Sequence, residues 1–139
     1  MGIRVPCCGI AVGVNEPNVV ITTGVELIST VTITVINPTD VVRLMASIES
    51  FNPNSAVNST LEGNLLEYVI RRDSDVIRSV SDTDFDGVTT TFTALDIPGA
   101  GTFTYTLEGD ITRSAADPLV REEDILSVVF TAEELSPTT

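Results

Sequence analysis

The chain has two cysteines, and they stand side by side near the N-terminus as Cys7 and Cys8. Adjacent cysteines can bond to each other only through a small, strained ring. In an extended segment their side chains point to opposite sides, which suits bonds to two different partner chains. The alternatives are two free thiols in a reducing compartment, a vicinal disulfide or a metal site. The pair therefore indicates a covalent joint between chains or two reduced thiols.

A second set of residues has ligand chemistry. Asp82, Asp84 and Asp86 alternate ahead of Gly87, which matches the opening of an EF-hand calcium loop. The match ends there, because Thr93 stands where that loop has its bidentate Glu. An Asp-rich segment between two strands is usually a turn. The sequence predicts a turn over 82–87, with these three aspartates as the ligands if calcium binds.

The remaining reactive side chains do not form a catalytic set. The chain has no His, which excludes Ser-His-Asp and Cys-His mechanisms and a His-ligated catalytic zinc. The acidic pairs Glu122-Glu123 and Glu133-Glu134 come without an aromatic sugar platform or a second placed acid, so glycosidase chemistry is unsupported. We expect a protein that is not an enzyme and has no resident cofactor.

Length and charge narrow the class of protein further. The 139 residues are enough for one domain with a proper core. A net charge of −13 argues against nucleic acid and anionic membranes as partners. No apolar run is long enough for membrane insertion. Pro6, Gly9 and Gly13 interrupt the N-terminal apolar stretch, so we predict no signal peptide and synthesis in the cytoplasm.

From residue 19 onward the apolar residues recur with a period of two, which is typical of β-strands. One face of the segment 26–36 carries Leu27, Val31, Ile33 and Val35. Arg71 and Arg72 lie on a predicted hairpin and are expected to form local ion pairs with its Asp residues. Strands are predicted over 26–36, 41–51, 65–72, 76–81, 88–95, 102–108 and 125–132, with a polar connection over 114–124 and a polar tail over 133–139.

Roughly eight or nine short strands and no helix of consequence predict an all-β fold, an antiparallel β-sandwich. The jelly-roll type is favoured over the immunoglobulin type, because the chain has no Trp and no Cys pair in its body. The breaker cluster Asn15–Asn18 divides the chain. Residues 1–18 are predicted to be an N-terminal connector arm and hinge, and residues 19–139 the sandwich domain.

The arm is apolar and favours extended structure. Its candidate connector residues, besides the two cysteines, are aliphatic: Ile3, Val5, Ile10, Val12 and Val14. An exposed apolar arm is a liability on a monomer. It therefore either pairs with its own sheet as a first strand or adds as a strand to a neighbouring subunit. Both alternatives remain open from the sequence.

An aliphatic arm carrying Cys7-Cys8, followed by an acidic sandwich rich in Thr and Val, resembles the subunits of bacterial endospore appendages. The resemblance implies a jelly-roll whose N-terminal connector reaches into earlier subunits and is locked there by disulfides. Ile3 or Val5 would be the aliphatic residue of the family pattern. The further cysteine of that pattern has no counterpart here, so connectors would bond to each other or dock without covalent links.

The stretch 66–107 is also similar to the trimeric jelly-roll domains of exosporium glycoproteins and phage tail fibres. We therefore expect a self-assembling structural subunit of an extracellular or spore-surface fibre, whose partners are copies of itself, located at the spore or cell surface. The alternative is a trimeric binding or decoration module that recognises a glycan or a surface.

Overall fold

The computed structural model describes residues 4–53, 63–114 and 121–137. The described residues form ten β-strands and no α-helix. The strands are β1 (Arg4–Val12), β2 (Val14–Asn15), β3 (Val20–Ile21), β4 (Glu26–Val35), β5 (Val41–Phe51), β6 (Asn64–Arg72), β7 (Asp75–Asp84), β8 (Val88–Asp96), β9 (Gly101–Ser114) and β10 (Glu123–Pro137).

The strands form two five-stranded sheets. Sheet 1 has the order β1-β10-β5-β8 with β3 beside β10, and sheet 2 has the order β2-β4-β9-β6-β7. All of these pairings are antiparallel. Consecutive long strands pass from one sheet to the other except at the β6–β7 hairpin, which is the jelly-roll arrangement. The predicted all-β sandwich of jelly-roll type is confirmed.

The core lies between the two sheets and follows from the period-two pattern. In β5 the inward side chains are Val42, Leu44, Ala46 and Ile48, each at most 1% exposed. The largest fully buried side chains include Tyr68, Tyr105 and Phe130. Burying one large apolar side chain contributes about 1.5 to 3 kcal/mol, so this alternation fixes which face of each strand turns inward.

The predicted polar tail from residue 133 is wrong. Glu133, Glu134 and Leu135 belong to β10, and each is less than 9% exposed. This part of β10 lies between β1 and β5 and is hydrogen-bonded on both sides. Glu133 forms an ion pair with Arg43. A partner on each side lets a polar sequence continue as a central strand.

The prediction that Leu27 shares the inward face of β4 is also wrong. A β-bulge between Leu27 and Ser29 shifts the register with β9. Ile28 is fully buried as a result, whereas Leu27 is 38% exposed. One extra residue in a strand reverses the faces on either side of it.

The predicted polar connection over 114–124 can be compared with the structure only at its ends, because residues 115–120 lie outside the described residues.

Among the residues that the structure does describe, no helix is long and apolar enough to cross a membrane.

Candidate functional site

The predicted connector arm forms β1, an edge strand of sheet 1. Its pairing with β10 begins at Arg4 opposite Pro137 and ends at Val12 opposite Thr131. Within the described part of the chain, β1 has β10 as its strand partner on one side and none on the other. The structure thus places the arm on its own sheet, and donation of this strand to a neighbour stays a prediction.

The described connector side chains leave apolar surface exposed. Ile10 is 60% exposed, Val12 71% and Val14 76%. Between the first two, Ala11 packs against the core. Ile3 lies outside the described residues, and so do the side chains of Val5 and Cys8, whose backbones belong to β1. The arm therefore packs Ala11 against the core and leaves the side chains of Ile10, Val12 and Val14 exposed to solvent.

The chain leaves β1 at Gly13, ahead of the predicted breaker cluster Asn15–Asn18, and this crossing point, called the hinge from here on, requires a glycine. The Gly13 amide donates a 2.6 Å hydrogen bond to the carbonyl oxygen of Phe130. A Cβ atom at this position would lie 2.6 Å from Ser29 Oγ and 2.8 Å from that carbonyl oxygen. The chain then crosses to sheet 2, where Val14 pairs with Thr30. Close backbone approach at Gly13 thus connects the edge strand of one sheet to the other sheet.

The cysteine pair lies in a break of the β1 register. Pro6 pairs with Leu135 and Ile10 with Glu133, so three residues, Cys7 to Gly9, stand opposite Glu134 alone. Gly9 has a φ of 90°, which favours glycine. Cys7 is exposed, and none of the described cysteines is a free thiol. A disulfide between chains stays a prediction.

Two buried carboxylates lie behind this break. A carboxylate oxygen from each of Glu134 and Asp40 and the Sγ atom of Cys7 could serve as metal ligands, and these three atoms lie within 4.8 Å of one another. Both carboxylates already accept hydrogen bonds from neighbouring segments of the chain. Glu134 Oε1 accepts a 2.8 Å hydrogen bond from the Ile36 amide, and Asp40 Oδ2 accepts a 2.9 Å hydrogen bond from Ser136 Oγ. Because Cys7 is not a free thiol, we assign this group a structural role.

The three predicted calcium ligands do not converge. Asp82 accepts hydrogen bonds from Thr90 Oγ1 at 2.6 Å and from the Thr83 amide at 2.8 Å. Asp84 is the last residue of β7 and is fully buried, whereas Asp86 is exposed. The predicted turn over 82–87 therefore begins later than expected, because β7 continues through Asp84. Calcium binding by this segment stays a prediction.

Asp84 instead faces Glu123, the first residue of β10, in a buried acidic pocket between the sheets. Both side chains are 0% exposed. Asn64 Nδ2 donates a 2.8 Å hydrogen bond to Glu123 Oε1, and the Gly87 amide donates to Asp84 Oδ1. Ser50 also bonds to Glu123. We call Ser50, Asn64, Asp84 and Glu123 the acidic pocket.

The pocket is unfavourable for a carboxylate charge. Burial raises the pKa of Glu123 to about 9, and the neighbouring Asp84 carboxyl adds to the rise. Hydrogen bonds from Asn64 and Ser50 oppose it. Burial also raises the pKa of Tyr68, whose hydroxyl lies 3.5 Å from Ser50 Oγ. A proton or a cation is needed to neutralise two facing carboxylates in such surroundings.

The sequence did not predict that Glu123 is buried opposite Asp84; it indicated only that Glu122 and Glu123 are an acidic pair. One signal was present. Ser50 continues the inward row of β5 after Ile48, and Asn64 opens β6 at an inward position. Polar residues at core positions need buried polar partners. The sequence could not show that those partners come from β7 and β10.

The predicted local ion pairs of the hairpin are wrong. Arg71 Nε donates to Glu108 on the neighbouring strand β9 at 3.1 Å. Arg72 Nε donates to Asp96 at 2.7 Å, and Asp96 also accepts a 2.7 Å hydrogen bond from Tyr105 Oη. Both arginines thus bind carboxylates from other strands, since those offer more buried partners than the hairpin turn.

A shallow groove lies next to this cluster and has a volume of about 890 Å³. Its walls are mostly apolar, and Arg43 and Asp96 are the charged residues in them. Leu95 and Ile97 in these walls are 66% and 61% exposed. The groove could receive a small, largely uncharged ligand, but none of its residues forms a catalytic set.

No protein-family model matches this chain, and no curated protein matches its sequence. Solved structures with a similar fold include the insecticidal delta-endotoxin Cry8Ea1 from Bacillus thuringiensis, at 8% identity and a TM-score of 0.46. The match covers 88% of this chain and 20% of the toxin chain.

Two similar structures are carbohydrate-binding modules. One is the CBM36-1 domain of a multidomain xylanase from the hindgut metagenome of Trinervitermes trinervoides, with 8% identity, a TM-score of 0.44 and coverage of 94% of this chain and 98% of that one. The other is a family 35 module from Clostridium thermocellum, with 9% identity, a TM-score of 0.40 and coverage of 89% and 98%. These likenesses concern the β-sandwich fold alone.

Proposed function

We propose that this protein is a self-assembling structural subunit that joins copies of itself by donating β1. Its assembled form would be a fibre at the spore or cell surface, as the resemblance to endospore appendage subunits implies. The observation that carries the proposal is the position of β1. It is an edge strand, attached to sheet 1 through β10 and to the rest of the chain through the hinge at Gly13.

An edge strand that is joined to its domain by a hinge can pass from its own chain to a second copy, because the second copy offers the same binding surface. The contacts that β1 makes with β10 of its own chain can be made equally with β10 of a second copy. Ala11 would again fill the position opposite Ala132, and Val12 the position opposite Thr131. The donated strand would exchange one set of backbone hydrogen bonds for an equivalent set, so assembly would cost little enthalpy.

The cysteines support a joint of this kind. They lie in the register break of β1, and Cys7 is exposed on the strand that would pass between subunits. A bond between chains would form by thiol–disulfide exchange: a cysteine thiolate of a second connector attacks the disulfide of Cys7, and the displaced sulfur leaves as a thiolate. Such a bond would add a covalent lock to an exchanged strand that its pairing with β10 already holds.

The test is negative-stain electron microscopy of three samples: the full chain, a chain that starts at Pro17, and that shortened chain with a peptide of residues 1–15. We expect filaments from the full chain only. The peptide should restore single folded particles, because it supplies β1 without connecting two subunits. Filaments from the shortened chain would contradict strand donation.

A binding module is the second candidate, and one observation favours it. Phe85 is 53% exposed directly after β7 and lies beside the exposed Asp86. An exposed aromatic ring next to a carboxylate can bind a sugar ring through stacking and a hydrogen bond. On this proposal both chain lengths would give the same discrete oligomer. Glycan-array binding that is lost in Phe85→Ala would support it.

A further inference from the structure

We propose that the acidic pocket binds one Ca²⁺ ion, which joins the two sheets through Asp84 and Glu123. The two carboxylates come from opposite sheets, since β7 belongs to sheet 2 and β10 to sheet 1. The site differs from the predicted set of three aspartates, because Asp86 is exposed whereas Asp84 and Glu123 are fully buried.

Unsatisfied oxygen atoms point to a ligand. Glu123 Oε2 and Asp84 Oδ2 are both buried, and within the described residues no N–H or O–H group of another side chain or of the backbone donates to either. The two carboxyl groups can bond to each other only through a proton that they share. Both residues are 0% exposed. When both carboxyl groups are ionised, leaving these oxygens buried and unpaired costs several kcal/mol, on the order of the cost of a broken buried ion pair. A cation between the two oxygens would remove that cost.

The described arginines that form ion pairs do not supply that cation. Arg43 pairs with Glu133, Arg71 with Glu108 and Arg72 with Asp96. The chain has no Lys and no His. No arginine is among the groups that most affect the charge of Glu123, so a positive charge for the acidic pocket would come from solution.

The donor atoms favour calcium among the common divalent cations. The carboxylates of Asp84 and Glu123 and the hydroxyl of Ser50 are hard oxygen ligands, and the pocket holds no thiol or imidazole. They come from three different strands, so their arrangement has no strict symmetry. Ca²⁺ accepts irregular oxygen sets, whereas Mg²⁺ demands a near-ideal octahedron and Zn²⁺ prefers nitrogen and sulfur.

Terbium luminescence tests the site in the full chain. Tb³⁺ replaces Ca²⁺ at oxygen sites and emits when a nearby tyrosine is excited. The chain has no Trp and two tyrosines. Tyr68 Oη lies 3.5 Å from Ser50 Oγ in the pocket, whereas Tyr105 Oη lies 2.7 Å from Asp96, elsewhere in the sandwich. The two tyrosines therefore form a matched pair of reporters.

We expect saturable Tb³⁺ emission that Ca²⁺ displaces. Tyr68→Phe should abolish the emission, and Tyr105→Phe should leave it unchanged. Glu123→Gln and Asp84→Asn should each weaken Tb³⁺ binding by at least about tenfold, and Asp86→Asn, which removes an exposed carboxylate, should not. Circular dichroism of each variant confirms that it is folded.

Three results would overturn the proposal. Emission without saturation would mean that Tb³⁺ binds only loosely to an acidic surface. Emission that depends on Tyr105 would place the ion elsewhere. Absence of emission from the folded chain would mean that the two carboxylates share a proton instead. The two tyrosine variants leave the pocket carboxylates in place, so the test does not depend on Glu123→Gln being folded.

Discussion

Glu123 is the residue at which the fold most directly creates a dependence on pH. Burial raises its pKa to about 9 in the folded chain, whereas an unfolded Glu has a pKa of about 4.3. The folded chain thus holds this proton more tightly than the unfolded chain. The resulting stabilisation is complete below about pH 4 and is lost as the pH rises through about 9.

In buffer with EDTA, the urea midpoint should therefore fall steadily between about pH 5 and pH 9. Glu123→Gln stays neutral at every pH and should remove most of this slope. Asp86→Asn, which changes an exposed carboxylate, should keep it. Equal slopes for the native chain and Glu123→Gln would show that another group carries the effect.

Asp96 is the second residue with a large expected contribution. It accepts hydrogen bonds from both Arg72 Nε and Tyr105 Oη at 2.7 Å, and its side chain is 12% exposed. Asp96→Ala should lower the free energy of unfolding by about 2 to 3 kcal/mol, because it leaves a partly buried guanidinium unpaired. Urea denaturation measures this loss. Asp75→Ala removes an exposed carboxylate and should change the free energy by less than about 0.5 kcal/mol.

At the level of single elements, the hinge decides how firmly β1 is held. Gly13→Ala would place a Cβ atom 2.6 Å from Ser29 Oγ and 2.8 Å from the Phe130 carbonyl oxygen. We expect Gly13→Ala to lower the free energy of unfolding by about 1 to 3 kcal/mol. Relative to the native chain, hydrogen exchange should speed up more in β1 than in β5. Adding Ser29→Ala removes one of the two clashes and should restore part of the loss. Uniform exchange across all strands would contradict a local effect.

The strands were predictable from the sequence where period two is uninterrupted. The bounds of β5 were predicted correctly, and the inward rows of β8 and β9 follow from Phe92, Ala94, Tyr105 and Leu107. The errors lie where backbone pairing overrides the pattern. A β-bulge next to Leu27 turns its side chain to the outer face of β4. Pairing with β1 on one side and β5 on the other lets β10 continue through the polar residues that were predicted to be a tail.

The candidate site was less predictable, for a physical reason. Asp84 could be chosen from its spacing, but its facing carboxylate, Glu123, lies 39 residues along the chain and on the other sheet. Such a contact depends on strand order, which one sequence does not contain. The polar inward positions of Ser50 and Asn64 indicate that a buried polar partner exists without identifying it.

For the whole molecule, the central question is whether β1 leaves its own sheet. In the described residues, one copy of the chain supplies every strand of both sheets, with β1 in place at the edge of sheet 1. Strand donation therefore requires opening at one edge, followed by the same pairing in a second copy. A lock that holds β1 on its own β10 would block that step and leave the fold intact.

The most direct measurement uses such a lock. Val12→Cys and Thr131→Cys stand opposite each other in the β1–β10 register, and paired strand residues lie within disulfide reach. Cys7→Ser and Cys8→Ser remove the two native cysteines as competing partners, and gels without reductant show whether the new bond lies within one chain. Electron microscopy then compares the oxidised and reduced forms of this one protein. We predict filaments only after reduction. Filaments in both forms, or in neither, would contradict assembly by exchange of β1.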